Sequence, residues 1–230
     1  MSKQTNSNIS IISGSISGLT QVIVGYPFDT FKIKAQTQHT NNITIKNVFT
    51  GVRFPLLTIL PITTIQFSLE EKLKNNIDNR YVTGAITGIA TSPLVSITDL
   101  LRIRKQQNLS IPIDFKRGQL LTLIRESISL SIYFGTYNTI KTTLEKHNFN
   151  NISSITIAGG ICGSLSWTIT YPIDIIKSRI QSYTSNTFIE AIKKKRLWDG
   201  LLVCNARSII INSLGWLVYE KSKQFIYNLC

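Results

Sequence analysis

The sequence predicts an all-α membrane protein: six transmembrane helices in three pseudo-symmetric two-helix repeats. Three observations carry this prediction. Charge is missing from long stretches, an acid-base template recurs three times at fixed spacing, and basic residues gather on alternate connections.

Hydrophobic residues make up 43% of the 230-residue chain and charged residues 16%, well below the roughly 25% charge of soluble domains. Residues 4–28, 81–98 and 148–173 carry no charge at all. Each approaches or exceeds the ~20 residues with which a helix crosses a bilayer. Ser, Thr and Gly are scattered through all three, a composition that suits helices packed against one another around a wet interior.

The net charge of +13 raises nucleic-acid binding, so its distribution matters. Of 25 basic residues, 15 lie in segments 32–53, 102–117 and 177–196, whereas the other flanks (1–3, 70–80, 141–146 and 220–223) hold 8 basic and 5 acidic residues. Such one-sidedness is the positive-inside pattern of a membrane protein. The run Lys193-Lys194-Lys195-Arg196 then faces lipid headgroups, and no stable nucleic-acid partner is expected. Cys162, Cys204 and Cys230 form no C-x-x-C pair, so neither a disulfide framework nor a metal site is implied. No cofactor is implied either. The two histidines, His39 and His147, sit in polar stretches without partners at catalytic spacing, which excludes an enzyme reading. Met1 to Asn8 is polar with one Lys, and the apolar run beyond is too long for a cleavable signal.

Repeats fix the organisation. Asp29-x-x-Lys32-x-Lys34-x-Gln36, Asp99-x-x-Arg102-x-Arg104-x-Gln106 and Asp174-x-x-Lys177-x-Arg179-x-Gln181 share one template. Gly14, Gly84 and Gly159 stand fifteen residues before the three acids, with Gly18, Gly88 and Gly163 four residues later. Pro27 and Pro172 precede their acids by two, where the middle repeat has Ile97. A second template starts at Gly51, Gly118 and Gly200: position +7 is Thr58, Arg125 and Arg207, and +16 is Phe67, Phe134 and Trp216. Position +20 is Glu71, Asn138 and Glu220, and +23 is Lys74, Lys141 and Lys223. The chain thus divides into repeats at 1–76, 77–149 and 150–230, each an odd helix, a basic loop and an even helix.

Glycines four apart let helix backbones approach closely in lipid, where no hydrophobic force drives helices together. Proline removes a backbone donor and bends its helix. An acid and a base three residues apart could pair within one helix for only ~0.3–0.5 kcal/mol. Threefold repetition offers a ring instead: Asp29–Arg102, Asp99–Lys177 and Asp174–Lys32. The +20/+23 positions suggest a second ring at the opposite end, Glu71–Lys141 and Glu220–Lys74, with Asn138 opposite Lys223 lacking its carboxylate.

These motifs resemble those of the mitochondrial carrier family, and the resemblance covers the whole chain. Pro27-Phe-Asp29-Thr-Phe-Lys32-Ile-Lys34-Ala-Gln36 and its counterpart from Pro172 to Gln181 match the family's repeat motif, and Tyr219-Glu220-x-x-Lys223 its cytoplasmic-gate motif. The resemblance implies a six-helix barrel in the mitochondrial inner membrane (of a host cell, if the chain is viral), with both termini in the intermembrane space. Loops 37–50, 107–117 and 182–199 would face the matrix, with their short helices missing or rudimentary, above all between Gln36 and Gly51. It implies a matrix gate of Asp29, Lys32, Asp99, Arg102, Asp174 and Lys177, braced by Gln36, Gln106 and Gln181. A cytoplasmic gate of Glu71, Lys74, Asn138, Lys141, Glu220 and Lys223 follows at the other end. Members alternate access, usually exchanging one solute for another. Cardiolipin is an expected lipid partner and a monomer the expected state.

Arg125 and Arg207 occupy one repeat position inside even helices, where an unpaired guanidinium costs ~2.5 kcal/mol or more. By resemblance, Thr58, Arg125, Glu126, Arg207 and Ser208 are the substrate contacts. Two guanidinium forks favour an anion. The Asn-, Ile- and Lys-rich composition and short loops are those of a compact, giant-virus-like genome, which points to nucleotides or deoxynucleotides. The adjacent Arg125 and Glu126 point instead to an amino acid or carboxylate, and a proton leak through the same fold is a further alternative.

Overall fold

The computed structural model describes residues 3–37, 53–107, 114, 116–181, 185, 187–193, 197–198 and 200–229. Side chains are described at 8–25, 57–101, 114, 116–181, 185, 187–193, 197–198 and 200–228. Seven helices account for nearly all of these residues: α1 (Lys3–Thr37), α2 (Arg53–Lys74), α3 (Arg80–Gln107), α4 (Gln119–Lys146), α5 (Asn151–Gln181), α6 (Phe188–Lys193) and α7 (Leu201–Leu229). No strand occurs among the described residues. The six long helices close into a ring, each packed on the next in chain order, with α7 returning to α1. The short α6 lies against α5, so the connection within the third repeat keeps a short helix. Most of the first connection, 38–52, lies outside the described residues.

Among the described residues, four helices are long and apolar enough to cross a membrane: Asn8–Gly25, Arg80–Leu101, Asn151–Gln181 and Leu201–Asn228. Helix α4 is comparably long, but Arg125, Glu126 and its serines and threonines dilute its hydropathy. It is held in the ring by its packing on α3 and α5. The outer surface is lined by apolar side chains that stay exposed, such as Ile12, Ile16 and Ile23 on α1 and Ile157, Ile161 and Ile169 on α5. A contiguous apolar exterior of this kind belongs in lipid. The polar residues turn inward and satisfy themselves locally. Thr87 Oγ1 donates to Thr83 O and Thr91 Oγ1 to Thr87 O, both at 2.9 Å and all three fully buried.

The paired glycines seat each odd helix on the even helix of its own repeat. A Cβ on Gly84 would lie 2.2 Å from Leu130 O, and one on Gly88 2.4 Å from Glu126 O. In the third repeat a Cβ on Gly159 would lie 2.9 Å from Asn212 O and one on Gly163 2.3 Å from Asn212 Nδ2. The first repeat is looser, with Gly14 facing Phe67 Cβ at 3.2 Å and Gly18 facing Thr63 Oγ1 at 2.2 Å. Gly118 and Gly200, at the start of α4 and α7, hold φ values of 76° and 87°, a left-handed geometry that suits glycine. Gly51 lies outside the described residues.

Candidate functional site

The +16 template residues meet on the ring's axis. Ring centroids of Phe67 and Phe134 are 5.8 Å apart, Phe67 and Trp216 5.2 Å, and Phe134 and Trp216 5.9 Å. Each pair is close to perpendicular, the geometry aromatic quadrupoles favour. Tyr137 stacks on Trp216 and Tyr219 on Phe67. The triad is at most 5% exposed, so it forms a plug across the bundle.

Beyond the plug, at one end of the bundle, lie two ion pairs between even helices. Lys223 Nζ is 2.8 Å from Glu71 Oε1, and Lys141 Nζ is 3.0 Å from Glu220 Oε1. Tyr137 Oη donates to the same Glu220 oxygen at 3.1 Å. The expected partners, Glu71–Lys141 and Glu220–Lys74, are therefore corrected. The ring is assembled in the opposite hand, each acid meeting the base of the preceding repeat. Helix direction explains this. Odd and even helices run antiparallel, so the same three-residue step turns in opposite senses when seen from one end of the barrel. Asn138 brings no carboxylate to the third position, and Lys74 reaches Glu71 on its own helix at 3.8 Å.

At the other end, Lys177 Nζ pairs with Asp99 as the repeat pattern predicts, and Lys177 is almost wholly buried. Asp174 Oδ1 lies 3.1 Å from Arg125 Nε, a partner the repeat pattern does not predict. The side chains of Asp29, Lys32, Gln36, Arg102 and Gln106, and with them the pairs Asp29–Arg102 and Asp174–Lys32, lie outside the described residues. Gln181 is buried against Gly118, where a Cβ would come within 2.8 Å of its Cγ, and its amide makes no hydrogen bond among the described residues.

Between the plug and these carboxylates is a cavity of about 160 Å³. Arg125 and Glu126 line it, joined by a direct contact from Arg125 Nη1 to Glu126 Oε1. The Arg125 guanidinium also lies 5.4 Å from the Trp167 ring centroid, within cation–π range. Gln21 and Gln66 supply amides, and Tyr133 and Asn212 the roof, with Tyr133 Oη donating to Asn212 Oδ1 at 3.0 Å. Of the other expected contacts, Thr58, Arg207 and Ser208 stand outside this lining. Ser208 accepts from Asn212 Nδ2 at 2.8 Å and so anchors the roof. Arg207 reaches toward α1, its Nη2 3.4 Å from where a Gly25 Cβ would be. The structure thus brings Arg125, Glu126 and Asp174 together, and leaves Arg207 against α1.

Gln21, Gln66, Trp167 and Asn212 were missed because they break the repeat. Gln66 is equivalent to Tyr133 and Gly215, and Asn212 to Thr63 and Leu130. A threefold scaffold around an asymmetric solute must be asymmetric where it touches that solute. Disagreement among equivalent inward positions was therefore the signal available.

Comparison with known proteins gives the class. The family model described as mitochondrial carrier protein matches residues 3–81 and 150–229, and the chain belongs to that family. It is a multi-pass transporter of the mitochondrial inner membrane and not an enzyme. Among its relatives, the mitochondrial arginine transporter BAC2 of Arabidopsis thaliana is 24% identical across 94% of this chain and 91% of its own length. The human mitochondrial basic amino acids transporter is 24% identical across 93% and 82%, and the glutamate/glycine mitochondrial carrier ymc1 of Schizosaccharomyces pombe 26% across 95% and 94%.

Proposed function

We propose that this carrier exchanges a cationic amino acid across the inner membrane by alternating access. The observation that carries the reading is that Arg125 is already matched by two carboxylates, Glu126 and Asp174. A cavity so balanced suits an amphoteric solute, whose carboxylate takes the guanidinium fork and whose ammonium takes Glu126. A nucleotide's polyphosphate needs cations in excess, so the nucleotide or deoxynucleotide expected from composition loses its support. Two of the relatives named above carry arginine or basic amino acids in their names. In this reading Thr58, Arg207 and Ser208 complete the contacts as the solute moves through.

The two ion-pair ends act as gates. Asp29, Lys32, Asp99, Arg102, Asp174 and Lys177, with Gln36, Gln106 and Gln181, close the matrix end. Glu71, Lys74, Asn138, Lys141, Glu220 and Lys223 close the cytoplasmic end, above the aromatic plug. The residue ranges 1–76, 77–149 and 150–230 are the three repeats that move as units. The chain works as a monomer, with cardiolipin against its basic matrix-side flanks.

Thermal unfolding in detergent over a panel of L-arginine, L-lysine, L-glutamate, ATP and dATP tests the substrate class, because a ligand stabilises the state it binds by mass action. L-arginine or L-lysine raises the melting temperature of the wild type and not of Arg125→Ala. Stabilisation by ATP or dATP alone would overturn the reading.

A further inference from the structure

We infer that Asp174 competes with the substrate's carboxylate for the Arg125 guanidinium, and so helps to determine specificity at the central site. The inference rests on Arg125 as the carboxylate anchor.

Asp99 and Asp174 hold the same template position in the second and third repeats. Asp99 meets Lys177 on the next odd helix, and Asp174 meets Arg125 on α4. The Asp174 contact is close but badly directed. Although Arg125 Nε lies 3.1 Å from Asp174 Oδ1, that buried nitrogen makes no hydrogen bond among the described residues. Elsewhere on the guanidinium, Nη1 meets Glu126 and the plane lies near Trp167. One edge of the fork therefore has charge compensation without a well-aligned acceptor.

A solute carboxylate can align with that edge in the fork's plane, giving the directed, charge-assisted geometry that is strongest for arginine. Asp174, fixed to α5, contributes only Coulomb attraction. The solute carboxylate takes Nε and Asp174 leaves. A carboxylate driven from its cation at this depth must find another partner. A cation without a carboxylate leaves Asp174 where it is. The carrier should therefore discriminate L-arginine from agmatine, its decarboxylated analogue.

Isothermal titration of the purified full-length carrier with L-arginine and agmatine tests the competition. Asp174→Asn removes the competitor while keeping side-chain shape, and is expected to tighten L-arginine by about two- to fivefold, the range of a partly exposed ion pair. Asp174→Ser must do the same, which keeps the test alive should the first variant not fold. Asp174→Glu stays near wild type, and Asp99→Asn, whose carboxylate touches Lys177, gives less than the Asp174→Asn gain. Agmatine affinity does not rise in Asp174→Asn. Unchanged or weaker L-arginine binding in Asp174→Asn, or an equal gain in Asp99→Asn, overturns the inference and leaves the proposed substrate standing. If the wild type does not bind L-arginine, or Arg125→Ala binds it equally well, the substrate reading fails first and the inference with it.

Discussion

Replacing Gly88 by Ala tests whether backbone contact between α3 and α4 holds the central site. The new Cβ would lie 2.4 Å from Glu126 O, 2.6 Å from Glu126 C and 2.7 Å from Ser127 Cα. Ordinary contact begins near 3.4 Å, and all three neighbours are backbone, so no side chain can swing away. The helices must separate by about 1 Å. Overpacking of this kind costs about 1–3 kcal/mol, against a gain of about 1 kcal/mol from alanine's better helix propensity. With three backbone atoms inside 3.0 Å the cost falls in the upper part of that range, about 2–3 kcal/mol, so the clash is expected to win by about 1–2 kcal/mol. At about 2–4 °C per kcal/mol for a chain of this size, the melting temperature falls by about 2–8 °C. Gly14→Ala is the control, because the atoms nearest its Cβ would be Phe67 Cβ, Thr64 Cα and Thr64 O, at 3.2 Å or more; it stays within about 1 kcal/mol of wild type, since a few tenths of an ångström suffice. Thermal unfolding of both variants in detergent, monitored by intrinsic fluorescence, gives the comparison. A Gly88→Ala protein that melts at or above the wild-type temperature would refute the close-contact reasoning.

Three other perturbations follow. Trp216→Ala removes a buried ring that touches Phe67, Phe134 and Tyr137; it should cost about 3–5 kcal/mol and raise leak of solute from preloaded proteoliposomes. Lys141→Glu sets two carboxylates together at Glu220 and lowers stability by about 1 kcal/mol, and adding Glu220→Lys restores part of it in thermal unfolding; no recovery would mean the two side chains are not partners. Arg125→Lys keeps the charge but loses the planar fork. It should weaken L-arginine binding by tenfold or more, since a charged hydrogen bond contributes about 1.5–3 kcal/mol, and titration calorimetry checks this.

What the sequence made legible is what repeats. Gly84 and Gly88, Phe67, Phe134 and Trp216, and the Asp99–Lys177 pair all stand at threefold-equivalent positions, and each sits where the repeat pattern requires. The direction of pairing between Glu71 and Lys223 was hidden, because it depends on which way a helix runs past the observer. The cavity was hidden for a different reason. Gln66, Trp167 and Asn212 matter through their differences from equivalent residues, which pattern matching treats as noise. The Asp174–Arg125 contact joins an odd helix to an even one across the repeat boundary, so neither template alone could anticipate it. For the substrate class, composition reports on a genome's nucleotide bias, whereas the proposed amino-acid reading rests on Glu126 and Asp174 beside Arg125.

The most direct test of the central claim is uptake of radiolabelled L-arginine into proteoliposomes carrying the purified chain, with and without unlabelled L-arginine inside. An exchanger of cationic amino acids with Arg125 at its centre takes up label in the loaded vesicles, takes up little in the empty ones, and takes up almost none as Arg125→Ala. Labelled ATP or dATP exchanging in the same vesicles while L-arginine does not, or equal L-arginine uptake by Arg125→Ala, would contradict it.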